Sequence, residues 1–211
     1  MSVIAFCAQK GGVGKTTGSV HFAVWLYRKK KSVSFLDADP QGSGSLWLST
    51  MELPIPTVKL SNADDLIERI PELAEQFDYL VIDGAPSTTE STRAILCLSD
   101  LSITPVQPSG LDLSSTGDVI RLIKSAQKIS GGLPKPAIFL NRALKRTRLK
   151  QETLDVLSQF PDVTLLKTVI HQKQAISDCF TQEGTVWDIR GAEESAKEFE
   201  SLFKEILKLL K

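Results

Sequence analysis

Residues 9–17 read QKGGVGKTT and follow directly on the apolar run Val3-Ile4-Ala5-Phe6-Cys7-Ala8. A short continuous apolar run that stops at glycines predicts a buried strand, and the lysine and two threonines beyond the glycines open a helix. Strand, glycine-rich turn and helix, in that order, are what a phosphate-binding loop needs. Gly11, Gly12, Val13 and Gly14 let backbone N–H groups curl around phosphate oxygens, and the helix N-terminus adds a favourable dipole. On this pattern Lys15 reaches the β/γ-phosphates, the Thr16 hydroxyl holds Mg²⁺, and Thr17 stands beside them in the first helical turn. Two residues depart from the common pattern: Gln9 stands where a glycine is usual, and Lys10 supplies a second lysine. The loop carries Lys10 away from the nucleotide that Lys15 would bind, so Lys10 needs a separate explanation.

With 211 residues, 42% of them apolar and 24% charged, the chain has a globular composition and is long enough to bury a core. It is expected to form one domain over residues 1–211. The formal net charge is zero, which excludes a general polycation and confines any nucleic-acid binding to a local patch. Cys7, Cys97 and Cys179 are far apart with no CxxC pair, as expected of reduced thiols in a cytosolic protein. No apolar run approaches the ~20 residues of a membrane span, and the short N-terminal run leads straight into the loop, unlike a signal peptide.

Strand and helix patterns alternate along the chain. Strands are expected at 3–8, 32–37, 57–60, 79–83, 101–106, 137–140 and 163–169. Helices are expected at 16–28, 63–76, 91–98, 113–128, 151–160 and 192–211. Ser61 or Asn62 caps the second helix, Asp64 and Asp65 favour its first turn, and Pro71 suggests a break into two short helices. Alternation with continuous apolar strands predicts an α/β fold, a mainly parallel twisted sheet with helices on both faces.

Three further segments point to the same site. Asp37-Ala38-Asp39-Pro40-Gln41 follows a strand, and ligands in such sheets bind beyond the carboxyl ends of the strands, so both carboxylates are expected near the phosphates. Asp39 is the better placed to act on water, and Asp37 either shares that task or binds nearby backbone. Asp83 ends the apolar strand YLVID, the layout of a carboxylate that holds Mg²⁺ directly or through water. Asn141 ends another strand, and its amide offers a donor and an acceptor suited to adenine, or serves only the turn.

Taken together, KGGVGKTT (10–17), LDADPQG (36–42), FDYLVIDGAPS (77–87) and SDLSITPVQPSGLDL (99–113) resemble the ParA/MinD group of deviant Walker A ATPases. The match spans nearly the whole chain and is nearest to small single-domain ParA partition ATPases. The resemblance implies a P-loop NTPase fold and an ATP-sandwiched homodimer in which Lys10 reaches the partner's nucleotide. It makes Lys15 the loop lysine, Thr16, Asp39 and Asp83 the Mg²⁺ set, Asp39 the residue that orients water, and Asn141 an adenine contact. It also implies a weak ATPase stimulated by a ParB-type or other small adaptor, with a cytoplasmic, nucleoid-associated location and a plasmid, chromosome region or protein organelle such as a carboxysome as cargo. One departure is His171, where the family often has proline.

Residues 135–150 hold Lys135, Arg142, Lys145, Arg146, Arg148 and Lys150 with no acidic residue, and Lys173 follows. A solvated helix face would account for such a run, but doubled in a dimer it would neutralise several phosphates of DNA without reading sequence. Arg142, Lys145, Arg146, Arg148, Lys150 and Lys173 are the expected DNA contacts. The alternative is a MinD-like membrane-associated ATPase that uses the amphipathic stretch 201–211. That pattern continues back toward Ala192, however, as in a packed closing helix.

Overall fold

The computed structural model describes residues 1–86 and 90–211. Its strands are β1 (Ser2–Phe6), β2 (Val33–Asp37), β3 (Thr57–Lys59), β4 (Tyr79–Asp83), β5 (Leu101–Val106), β6 (Lys135–Leu140) and β7 (Thr164–Leu165). They pair in parallel, in the spatial order β3-β2-β4-β1-β5-β6-β7. Side chains alternate across the sheet: Ile4 and Phe6 join one core, and Val3, Ala5 and Cys7 the other. Helices α1 (Lys15–Arg28) and α2 (Ser43–Thr50) pack on the first face. The opposite face is covered by α3 (Ala63–Gln76), α4 (Glu90–Cys97) and α5 (Gly110–Ile129). Next come α6 (Arg148–Leu157), near β6, and the short α7 (Gln174–Asp178), and α8 (Glu193–Leu209) returns to the first face. From β1 the chain moves to β2 on one side, and after β4 it crosses to β5 on the other. The reversal leaves a crevice at the carboxyl end of β1, where QKGGVGKTT emerges.

Several sequence expectations need correction. Pro71 does not break its helix: α3 runs unbroken from Ala63 to Gln76 with Asn62 as its cap. Pro71 and Ile67, whose carbonyl loses its partner, lie on the exposed side, while Leu66, Ile70, Leu73 and Ala74 pin the buried side. The strand expected over 163–169 shrinks to Thr164–Leu165, because the Glu205 carboxylate of α8 takes the N–H groups of Lys167 (2.7 Å) and Thr168 (3.0 Å). Helix α5 begins at Gly110, three residues earlier than expected, with Ser109 as its cap accepting from the Asp112 N–H at 3.1 Å. Helix α6 likewise begins early, at Arg148 behind the Thr147 cap. Helices α2 and α7 were not foreseen.

The closing helix packs on α1. Phe199, Leu202, Phe203 and Ile206 are buried, and the Phe203 ring lies 5.0 Å from Phe22 and 5.6 Å from Trp25. Its apolar side is therefore occupied by the core, not free for a membrane surface. No helix among the described residues is long and apolar enough to cross a membrane.

His21 ties α1 to the segment before α8. Fully buried, it stacks on Phe199 at 4.5 Å, its Nδ1–H donates to the Thr17 carbonyl at 2.7 Å, and its Nε2 accepts from the Val186 N–H at 3.2 Å. Both bonds fit one neutral tautomer. Burial pushes its pKa down to about 4, the Thr17 bond opposing. A depressed base binds its proton in the unfolded chain first, so stability is full above about pH 6.5 and declines as pH falls toward 4. The His21 contribution should cost about 2 kcal/mol between pH 7 and pH 5. Urea denaturation at the two pH values checks this, and His21→Gln should lose that part of the pH dependence.

Candidate nucleotide site

The loop after β1 is shaped for an anion. Gly12 and Gly14 have φ of 77° and 101°, and Gly14 begins α1 with no side-chain cap, which leaves the first N–H groups of the helix open. No side chain fits at position 14, because the Asn141 amide occupies the space a Cβ would need. Lys15 is buried, and its ammonium donates to the Lys10 carbonyl at 3.3 Å. Burial lowers its pKa, while Asp83, the largest opposing influence, raises it.

Asp37 and Asp83 end neighbouring strands in register, and both are wholly buried. Asp37 is satisfied by backbone: its Oδ2 accepts from the Ser45 N–H at 2.7 Å and its Oδ1 from the Asp39 N–H at 3.1 Å. A buried carboxylate thus sits at the N-terminus of α2, offsetting the dipole of a helix rich in glycine and serine. Asp83 differs. Burial raises its pKa to about 7, and the Thr16 hydroxyl opposes this, yet neither Asp83 oxygen has a partner at full hydrogen-bond geometry among the described residues. An orphaned buried carboxylate beside a hydroxyl, in reach of a phosphate loop, is an oxygen-donor arrangement that fits Mg²⁺. Asp39 is half-exposed, its Oδ1 accepting from the Gln41 N–H at 3.0 Å. Ser87, the last residue of the FDYLVIDGAPS stretch, lies outside the described residues.

Lys10 turns away from this cradle. Its ammonium lies 2.7 Å from Asp112 Oδ1 of α5, close in distance though not aligned as a hydrogen bond, and its side chain is 43% exposed against 4% for Asp112. The other Asp112 oxygen accepts from the Ser109 hydroxyl at 2.7 Å. Sequence reasoning missed Asp112, which has no local signal linking it to residue 10. It also missed Gln107, which donates to the Gly12 carbonyl at 2.9 Å. Asn141 lies at the loop as well, donating to the Val13 carbonyl at 2.7 Å. On the far side of Asn141 a cavity of about 320 Å³, the size of a small-ligand pocket, is lined by Thr17, Trp47, Asn141, Lys173, Ile176 and Phe180.

The basic run is less bare than its sequence. Lys145 pairs with Glu194 at 2.5 Å, Arg148 with Glu152 at 2.6 Å, and Lys173 with Glu194 and Glu198 at 3.1 Å each. Lys150 contacts His171 Nε2 at 3.3 Å, and His171 Nδ1 lies 2.9 Å from Glu198. Arg142 and Arg146 are exposed and have no ion pair among the described residues. The expectation of six uncompensated charges is therefore corrected: Glu194 of α8 neutralises Lys145, and Glu152, one turn further along α6, neutralises Arg148. The site meets at one end of the sheet, and the basic strip adjoins it through Arg142 and Lys173, which line the cavity.

The profile of the CobQ/CobB/MinD/ParA nucleotide binding domain matches residues 4–186. Maintenance of carboxysome distribution protein A of Halothiobacillus neapolitanus is 28% identical over 213 residues, covering 97% of this chain and 95% of its own. Among solved structures, apo McdA of Cyanothece superposes with a TM-score of 0.82 at 19% identity, covering 98% of this chain and 99% of its own. The septum site-determining protein MinD of Pyrococcus horikoshii, complexed with Mg-ADP, gives 0.79 at 21% identity, covering 99% and 97%. The two structures share the fold.

The backbone role of Asp37 can be measured without nucleotide. Asp37→Ala leaves the partly buried N–H groups of Asp39 and Ser45 unpaired and should lower unfolding free energy by about 2 kcal/mol in urea at pH 7. An unchanged midpoint would show that α2 holds itself.

Proposed function

This chain belongs to the CobQ/CobB/MinD/ParA nucleotide-binding family, and we propose that it is an ATPase that dimerises on ATP, binds DNA without sequence preference and hydrolyses ATP when a cargo adaptor stimulates it. The observation that carries this is the separation of the two lysines: Lys15 lies in its own cradle, while Lys10 points out of it onto Asp112.

Phosphoryl transfer to water needs positioning and charge neutralisation more than covalent chemistry. The N–H groups of Gly12 to Thr17 and the Lys15 ammonium bind the phosphates, and the adenosine enters the cavity beside Asn141. Thr16, Asp83 and Asp39 would hold Mg²⁺, which would supply positive charge against the phosphates. Asp39 has one oxygen tied to the Gln41 N–H and uses the other to orient the attacking water. Lys10 crosses to the partner's phosphate only in the dimer, so a monomer binds ATP but lacks this charge. Hydrolysis removes what Lys10 holds, and the dimer opens.

Arg142 and Arg146 form the part of the basic strip ready for DNA phosphate. Lys145 and Arg148 exchange exposed carboxylate partners for phosphate at little cost, because surface ion pairs are weak, whereas Lys173 is held more firmly by the largely buried Glu198. Three cations at the start of α6, Arg146, Arg148 and Lys150, oppose its dipole, and phosphate would relieve that opposition. The protein would then coat the nucleoid as ATP dimers and position a cargo chosen by the adaptor, a replicon or a protein organelle. The name of the Halothiobacillus relative concerns carboxysome distribution, which supports the second kind.

Lys10→Ala should bind ATP as wild type does but lose at least tenfold in adaptor-stimulated hydrolysis, measured as phosphate release; normal stimulated turnover would remove the trans-lysine mechanism. Retention on random duplex DNA should require ATP, fall steeply between about 50 and 200 mM salt, and weaken for all sequences alike in the Arg142→Ala/Arg146→Ala double variant. Equal retention with ADP, or none at low salt, would refute DNA binding.

A further inference from the structure

Two consecutive carbonyls of the phosphate loop, Gly12 and Val13, are each held by a side-chain amide from the end of a neighbouring strand. Gln107, just past β5, donates Nε2–H to Gly12 at 2.9 Å, and Asn141, just past β6, donates Nδ2–H to Val13 at 2.7 Å. A trans peptide is planar, so its C=O and the following N–H point in opposite directions. Holding the Gly12 carbonyl outward therefore turns the Val13 N–H inward. Holding the Val13 carbonyl outward does the same for the Gly14 N–H. These N–H groups belong to the cradle.

The Asn141 contact is a fitted one. Its amide nitrogen stands where a Cβ of residue 14 would be, Gly14 has the positive φ that lets the chain turn beneath it, and the Asn141 side chain is buried. The Asn141 backbone is itself anchored, its N–H donating to the Val106 carbonyl at 2.8 Å. One Nδ2–H of Asn141 is thereby committed to the loop, which fixes the orientation of the amide.

We propose that Gln107 and Asn141 are positioning residues that pre-set the phosphate loop by gripping two consecutive carbonyls, so that Asn141 serves the triphosphate end of the nucleotide whichever base it carries. This rests on the loop binding ATP as proposed above. Pre-setting matters because a glycine-rich loop otherwise loses conformational freedom when it closes on phosphate, and that loss reduces affinity.

The test titrates ATP and GTP, each with Mg²⁺, into full-length wild type, Gln107→Met and Asn141→Ala. Methionine matches glutamine in length and lacks the donor, and residue 107 lies at the surface, so Gln107→Met should keep the wild-type melting temperature without nucleotide. Each substitution should weaken ATP and GTP by the same factor, about fivefold for one hydrogen bond, with the ATP-to-GTP ratio of wild type preserved. Loss of ATP affinity alone in Asn141→Ala would make Asn141 a base reader and overturn its assignment. Wild-type affinity for both nucleotides in Gln107→Met would overturn the paired grip. If wild type itself bound no ATP, the ATPase reading would fall instead.

Discussion

Asp37 and Asp83 lie side by side at the ends of β2 and β4 with no solvent on either. Two carboxylates in that position cannot both be charged cheaply, since burial and mutual repulsion each favour the proton. They are resolved unequally. Asp37 spends its oxygens on backbone N–H groups of the turn and of α2. Asp83 has no equivalent and drifts up to about 7. The remaining deficit is one of positive charge, and the nearby Lys15 meets it only in part, because burial disfavours its own charge. A site built this way favours a cation at Asp83, where a nucleotide-bound Mg²⁺ would stand.

The same pair explains which parts of the chain could be read in advance. Strands β4 and β5 coincide with their expected spans because a strand buried on both faces of a parallel sheet shows as an uninterrupted apolar run. Helix α2 has no such pattern. Ser43-Gly44-Ser45 is a poor helix start by propensity, and the helix exists because a carboxylate from β2 binds its first turn. Glycine at 44 is needed for packing, since a Cβ there would meet the Phe35 ring at 2.9 Å. Strand β7 fails in the opposite sense: its apolar run is real, but the Glu205 carboxylate of α8 takes the Thr168 N–H that would face β6, and the Lys167 N–H beside it.

The candidate site divides along the same line. Its local parts, the glycine loop with Lys15 and Thr16 and the strand-end carboxylates, were legible because each follows a strand. Gln107 and Asp112 were not, because their contacts to the loop join residues roughly a hundred positions apart in sequence. The basic run between 135 and 150 and the later Lys173 were visible, but the glutamates of α8 that pair with Lys145 and Lys173 were not, so the free charge of the strip was overestimated.

Lys10 connects these parts. Its carbonyl accepts from Lys15 while its ammonium neutralises Asp112. Asp112 is almost wholly buried, with the Ser109 hydroxyl as its other partner. Taking Lys10 away leaves a buried carboxylate poorly compensated, which costs more than breaking a surface pair. In the proposed dimer, the triphosphate of the partner must offset that cost before Lys10 crosses. A diphosphate offers less negative charge at the crossing point and offsets less of it. In that dimer the Asp112 contact would give the exchange its direction: it would hold Lys10 at home by default, and only the triphosphate would draw it away.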